Sequence, residues 1–201
     1  MGKNALAITT IYGILPAIRG YIRGRPVFEA FDPTSLPDRK LRRLYDYWKS
    51  RHRDGACPSR RDIDPVDIPD LLPNIFLLDV IGDAQDFVFR LAGTLVEDAF
   101  SMPLRGKSIA EIQRAAGTPI PVAHHVEVAR GGGPRYREGE MLVAGRDHWK
   151  THRLLLPLSS DGRRVDVLVG GAVFLLGGRV NEMPAEPWSY GRIENDPPLG
   201  F

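Results

Sequence analysis

The chain has 201 residues, of which 43% are hydrophobic and 26% charged, a composition typical of a soluble globular protein with one domain and extensions. Cys57 is its only cysteine, which excludes an internal disulfide and a cysteine-rich metal site and favours a reducing, cytoplasmic location. The net charge of +2 conceals an asymmetry, because residues 1–61 hold 13 Lys and Arg against 5 Asp and Glu, whereas residues 62–201 hold 14 against 20. A basic N-terminal part of this kind is more often a solvated helix face than a phosphate-binding or lipid-binding surface.

Residues 1–34 are predicted to form an N-terminal extension. Within it, residues 5–18 are apolar enough to resemble the core of a signal peptide, but no convincing cleavage site of small residues follows them. Gly13, Pro16 and Arg19 interrupt this run before it reaches the length of a membrane span. We therefore expect a loosely ordered extension rather than an exported or membrane-spanning segment.

Residues 35–51 carry a strong helix signal. Ser35 is a suitable N-cap, Pro37 suits the first turn, and Asp38 would lie near the positive end of the helix dipole. Four apolar residues then follow with helical spacing, while basic residues occupy the other faces. Because burying each such side chain is worth about 1.5–3 kcal/mol, this stripe must pack on another surface. The stripe consists of Leu41, Leu44, Tyr45 and Trp48.

The segment 62–81 organises the chain that follows it. Asp64 before Pro65 predicts the start of a short helical turn, and the prolines at 65, 69 and 73 prevent any long helix. Residues 75–81 have the length and the β-branched and aromatic composition of a strand. The apolar face of the turns is expected to consist of Ile68, Leu71 and Leu72.

The remaining elements add one strand, three short helices and three strands. Residues 86–91 are predicted to pair with 75–81 in a hairpin. The helices fall within 94–130: two begin at the capping-box pairs Thr94–Glu97 and Ser108–Glu111, and the third begins at Thr118-Pro119. The last strands are predicted at 135–144, 148–158 and 163–176, and residues 179–201 are predicted to form a C-terminal tail.

Several motifs accompany this element order. They are Leu44-x-x-x-Trp48, Asp62-Ile63-Asp64-Pro65, Leu72-Pro73, Phe76-Leu77-Leu78-Asp79, Phe89-Arg90-Leu91-Ala92-Gly93-Thr94 and Leu104-x-Gly106-Lys107-Ser108. Order and motifs together resemble a PAS domain, and in particular a family of bacterial stand-alone PAS-like proteins, over about residues 36–177. One departure is that Ser101-Met102-Pro103 follows Phe100, where the family usually has a glycine.

The resemblance implies an α+β fold, with a PAS-like five-stranded antiparallel sheet, a helical crossover and an N-terminal flanking helix. We expect this domain to span residues 35–178. The resemblance also implies a sensory or regulatory module of bacterial signal transduction with a ligand pocket. That pocket would lie between the concave face of the sheet and the crossover, and its candidate lining residues are Phe76, Leu78, Phe89, Leu91, Val126, Leu142, Leu154 and Phe174.

No strong catalytic signature is present in the sequence. It lacks a phosphate-cradling glycine loop, a His-Glu-x-x-His motif and a Gly-x-Ser-x-Gly motif. We therefore predict a protein that is not an enzyme, with no catalytic residues and no metal ligands, and we leave the cofactor unspecified. In some PAS sensors a crossover histidine holds haem iron, but His124 and His125 point about 100° apart on a helix, so we expect only one to face the sheet. The crossover also lacks the cysteine that covalent flavin photochemistry requires, so we expect a colourless protein.

Three classes of function remain open at this point. The favoured class is a non-enzymatic sensor that binds a small molecule or a protein partner, and the alternative is a ligand-free protein-interaction adaptor with a filled core. The third class is an enzyme or a nucleic-acid binder, neither of which is expected. No output domain is recognisable, so we expect output through a separate signalling protein. The helical stripe has two available sites, the outer face of its own sheet or a second copy, and we favour a homodimer formed through it.

Overall fold

One antiparallel sheet dominates the computed structural model, which describes residues 21–22, 25–26, 32–53, 56–116, 120–140, 149–176 and 179–180. Its strands are β1 (Ile75–Ile81), β2 (Asp86–Ala92), β3 (Arg135–Glu140), β4 (Trp149–Leu158), β5 (Val167–Leu176) and β6 (Arg179–Val180). The five main strands pair in the order β2–β1–β5–β4–β3, and the two-residue β6 extends the sheet by pairing with β5. The predicted α+β fold with a five-stranded antiparallel sheet is therefore confirmed.

Helices cover both faces of this sheet. The flanking helix α1 (Arg39–Ser50) lies on the outer face, and α2 (Thr94–Phe100), α3 (Ile109–Ala116) and α4 (Ala123–Glu127) form the crossover on the inner face. A π-helical turn, Val128–Gly132, continues α4. Tyr21–Ile22 and Arg25–Pro26 pair with each other as short strands, whereas the rest of the predicted extension before residue 32 lies outside the described residues. No helix in the described ranges is both long and apolar enough to span a membrane.

The flanking helix begins at Arg39, and its N-cap lies three residues later than the predicted Ser35. Asp38 is its N-cap, and the carboxylate accepts hydrogen bonds from the backbone N–H groups of Lys40 and Leu41 at 2.7 and 3.2 Å. Ser35 belongs instead to a separate 3-10 turn, Pro33–Ser35, that Asp32 caps. Between this 3-10 turn and α1 the backbone is extended at Leu36, as expected for a residue that precedes proline.

The apolar stripe of α1 packs on the outer face of its own sheet. Leu41, Leu44, Tyr45 and Trp48 are between 1% and 7% exposed, in a cluster with outward-facing residues of β4 and β5. Gly171 allows this close approach, because a Cβ there would lie 2.7 Å from Leu44 Cδ2. Of the two sites that the sequence left open, the single chain therefore uses its own sheet, and dimer formation stays a prediction.

The proline-rich segment forms two 3-10 turns, Pro65–Asp67 and Pro69–Asn74, and Asp64 caps the first as predicted. Ile68 and Leu71 are buried, but the prediction for Leu72 is wrong, since its side chain is 36% exposed. A 3-10 helix repeats every three residues, so the buried side continues from Leu71 to Asn74 rather than to Leu72. The buried Asn74 side chain then donates to the carbonyl oxygen of Ala172 on β5 at 2.8 Å.

The crossover helices differ from the prediction in one of their two capping boxes. Ser108 and Glu111 do cap each other's backbone N–H groups, at 3.1 and 2.7 Å. Thr94 is instead the first residue of α2, and Gly93 is the N-cap. Glu97 accepts from the backbone N–H of Leu104 at 2.9 Å rather than completing a box. Glycine is required at 93, because a Cβ there would lie 2.1 Å from the carbonyl oxygen of Leu72.

Two strand boundaries also differ. The last long strand was predicted from residue 163 but begins at Val167, because Asp161 holds the preceding segment in a turn. Its carboxylate accepts from the backbone N–H groups of Arg163 and Arg164 at 2.8 and 3.0 Å. The described part of β3 ends at Glu140, and residues 141–148 lie outside the described ranges.

Candidate functional site

A cavity of about 70 Å³ lies between the inner face of the sheet and the crossover helices. Strands β1, β2, β4 and β5 supply one wall, and α2, α3 and α4 supply the other. Most of the lining is apolar, so the cavity continues the main inner core of the domain. The principal apolar side chains are Phe76, Phe89, Val96, Ile109, Leu155 and Phe174.

Three of the eight predicted pocket residues line this cavity, namely Phe76, Phe89 and Phe174. Two more belong to the inner core without lining the cavity: Leu78 is completely buried there, and Val126 packs against it. The cavity therefore lies between the sheet and the crossover, and its lining includes some but not all of the residues predicted for a pocket.

The other three predicted residues are not part of the lining. Leu91 is 40% exposed, because a bulge shifts the register so that Leu91 pairs with Leu77, whose side chain lies on the outer face. Leu154 is fully buried, but in the outer cluster beneath α1, and its neighbour Leu155 takes the inner position. Leu142 lies outside the described residues.

Arg153 lines the cavity but is not among the residues predicted from the sequence. It lies in the middle of β4, opposite Ala172 on β5 and Arg137 on β3. Its Nε atom is shielded from solvent and has no hydrogen-bond partner in the described part of the chain. Burial, with a smaller contribution from the charge of Arg137, lowers the pKa of its guanidinium. The signal in the sequence was a charged residue two positions from Leu155 in an otherwise leucine-rich strand.

Both crossover histidines line the cavity, which corrects the expectation that only one would face the sheet. His124 and His125 are 7% and 4% exposed, and their ring centroids lie 4.2 Å apart. The ring of His125 also lies 5.3 Å from that of Phe87 on β2. The cavity extends around the inner side of α4, so a separation of about 100° between neighbouring residues leaves both rings in contact with it.

The histidine rings carry polar atoms that the described residues do not satisfy. Both nitrogens of His124 and the Nδ1 of His125 are buried without a hydrogen-bond partner in those ranges. Burial, with the positive charge of Arg153 adding to it, lowers the pKa of His124 to about 4. Burial, together with the charges of His124 and Arg153, also lowers the pKa of His125 well below its ordinary value. Both rings are therefore neutral near neutral pH.

The arrangement combines an apolar wall with a polar corner formed by Arg153, His124 and His125. Such a corner can orient a ligand through N–H donors and one positive charge. The cavity is smaller than the roughly 150 Å³ that holds benzene in a protein core, so a haem or a flavin would not fit without rearrangement. Within the described ranges, no three His, Cys, Asp or Glu side chains converge as a metal site.

Comparison with known proteins agrees with this architecture. A family model described as "PAS domain" matches residues 37–173. The solved structure of the PAS domain from Bordetella pertussis BvgS is similar, with 20% sequence identity and a TM-score of 0.42, and the match covers 55% of this chain and 82% of that one. Comparison with curated proteins gives no match. Since the family model covers more than half of the sequence, the resemblance is confirmed, and the chain belongs to the PAS domain family.

Proposed function

We propose that this chain is a non-enzymatic sensory or regulatory module whose inner cavity binds a small molecule in cytoplasmic signal transduction. PAS domains are generally non-catalytic sensory modules. The observation that supports a ligand here is the cavity itself, which has buried ring nitrogens of His124 and His125 on its wall. Each buried polar group left without a partner costs about 1–3 kcal/mol, and a ligand that bonds to these atoms recovers part of that cost.

A route for output follows from strand β5, which contacts both faces of the sheet. Ala172 lines the cavity, and its neighbour Gly171 lies directly beneath Leu44 of α1. Asn74 links the same strand to α1, because it donates to Ala172 O and accepts from Lys40 Nζ at 3.2 Å. A ligand that displaces β5 therefore also moves the surface on which α1 packs. We propose that a separate signalling protein, or a second copy of the chain, recognises that helix through its exposed basic face.

Ligand binding is tested by native mass spectrometry of the full chain and by thermal shift with a panel of small anionic, neutral and cationic molecules. Ala172→Leu fills the cavity, and Ala115→Leu makes the same change at an exposed position of α3. We expect at least one small molecule to raise the melting temperature of the wild type and of Ala115→Leu but not of Ala172→Leu. If nothing binds, or if Ala172→Leu binds unchanged, the cavity is not a ligand site and the chain is the ligand-free adaptor.

A further inference from the structure

The polar groups of the cavity are unevenly distributed, and this asymmetry points to one class of ligand. We propose that the cavity binds a short-chain carboxylate, with its charged group at Arg153 and the two histidines and its apolar part against the phenylalanine side chains. This inference rests on the proposed function and names the ligand class of the same site.

The positive charge of Arg153 favours an anionic ligand. The Arg153 side chain is partly buried, with its Nε atom shielded from solvent, and a cation removed from water is normally paired with an anion because its desolvation is costly. Of the described residues that line the cavity, Glu140 is the only carboxylate, and it lies in an exposed position at the described end of β3. Glu127, at the end of α4, already pairs with Arg135 at 3.1 Å. Arg153 therefore has no carboxylate partner within the described residues.

The hydrogen-bonding groups of the two histidines also favour a carboxylate. Each neutral imidazole offers one N–H donor and one acceptor, and a guanidinium offers only donors. A carboxylate has two oxygens that accept several hydrogen bonds in different directions, so it can accept from Arg153 Nε and from an imidazole N–H together. A cationic ligand would be repelled by Arg153, and a neutral one would leave that charge unbalanced.

The cavity volume limits the rest of the ligand. At about 70 Å³ the space is less than half of the roughly 150 Å³ that accommodates benzene. The apolar wall of Phe76, Phe89 and Phe174 disfavours a small hydrated anion such as phosphate, which has no apolar part to bury there. These two limits together favour an acid of about two or three carbon atoms.

The test uses probes of matched shape and different charge on the full chain. Propionate, propionamide, propylammonium and inorganic phosphate are titrated by calorimetry near pH 7.5, with Arg153→Gln as the variant. Arg137→Gln is the matched control, since it removes the same charge from an exposed residue on the neighbouring strand. We expect propionate to bind at least about tenfold more tightly than propionamide, and we expect Arg153→Gln to weaken propionate binding about tenfold or more. Arg137→Gln is expected to change it less than about threefold.

The outcomes separate this inference from the proposed function. If propionamide binds as tightly as propionate, or Arg153→Gln leaves propionate binding unchanged, the ligand is not an anion held by Arg153, although the cavity remains a ligand site. Binding of phosphate alone overturns the carboxylate assignment. If no probe of any charge binds in the cavity, both proposals fail. Should Arg153→Gln not fold, Arg153→Lys and the wild-type comparison of propionate with propionamide decide the matter.

Discussion

The two faces of the sheet are formed by the same strands, but they differ in the hydrogen bonding of their buried polar groups. On the outer face two buried ring nitrogens are paired: Trp48 Nε1 donates to Pro157 O at 2.8 Å, and His152 Nδ1 is hydrogen-bonded to the Tyr136 hydroxyl at 2.5 Å. On the inner face, His124 and His125 are just as buried, but ring nitrogens of both lack partners in the described residues. The same residue type is therefore satisfied on one face and left unsatisfied on the other.

This difference distinguishes the outer face, which stabilises the fold, from the inner face, which is proposed to bind a ligand. Paired polar groups and apolar burial on the outer face stabilise the folded state, whereas a cavity and unpaired polar groups on the inner face reduce its stability. Proteins accept such losses mainly at sites that bind or react. We therefore expect the largest loss of stability from a change on the outer face, and pH dependence or even a gain from changes to the polar groups of the inner face.

The largest effect is expected for Trp48→Ala. This change removes a side chain that is 4% exposed and also the hydrogen bond to Pro157 O, so it should lower the free energy of unfolding by about 3–5 kcal/mol. The measurement is chemical denaturation followed by circular dichroism. The half-buried Trp149, whose ring lies 6.5 Å from that of Phe174, is the matched control, and Trp149→Ala should cost less than half as much. Equal losses for the two variants would contradict the view that Trp48 contributes more to stability than the half-buried Trp149.

A related double substitution addresses the homodimer. Because Leu44 and Trp48 are buried on their own sheet, changing both to Asn should unfold the domain rather than release a folded monomer. Light scattering and circular dichroism distinguish the two results. A folded monomer from a dimeric wild type would show that the stripe joins two copies instead.

The next effect concerns pH. The pKa of His124 is lowered to about 4 in the folded chain from 6.5, so the unfolded chain binds more protons between these values. Stability contributed by neutral His124 is complete above about pH 6.5 and is lost as the pH falls towards 4. Between about pH 7.5 and about pH 5 this one group should cost about 2 kcal/mol, and His125 acts in the same direction.

The variant His124→Gln combined with His125→Gln measures this contribution. Denaturation midpoints of wild type and double variant are recorded across the same pH range, and that of the wild type should fall more steeply as the pH falls because only the wild type has the buried histidines. Parallel profiles would show that the buried rings are not responsible.

Two adjacent glycines on β5 provide a smaller and directly matched comparison. A Cβ at Gly170 would lie 2.1 Å from Phe76 Cζ on the inner face, whereas one at Gly171 would lie 2.7 Å from Leu44 Cδ2 on the outer face. The aromatic ring is rigid and must move as a whole, but a leucine methyl group can rotate away. We expect Gly170→Ala to cost about 1–3 kcal/mol and Gly171→Ala clearly less. The reverse order in thermal unfolding would mean that α1 is held more rigidly than Phe76.

The smallest effect is expected to be a gain. Arg153→Met keeps the length of the side chain but removes a cation that has no carboxylate partner within the described residues, so stability should rise by about 1 kcal/mol. The control Arg137→Met, at an exposed position, should change it by less than about 0.5 kcal/mol. A loss of stability in Arg153→Met would show that the guanidinium supports the fold rather than a ligand.

The sequence by itself determined the elements whose signals are local. The order of strands and helices, the cap at Asp64 and the reciprocal pair of Ser108 and Glu111 follow from periodicity and from hydrogen bonds that span a few residues. The same holds for Phe76 and Phe89, because strand alternation next to a crossover places them on the inner face.

Only the tertiary structure decided the properties that depend on contacts between distant segments. A bulge turned Leu91 away from the cavity, and the pairing of β4 with its neighbours put Leu155 rather than Leu154 on the inner face. Strand alternation cannot settle the second point, since both faces of that leucine run are buried. The polar corner arose in the same way: α4 and β4 are separated in sequence by another strand, and the packing of the crossover on the sheet alone brings the two histidines to the cavity that Arg153 lines.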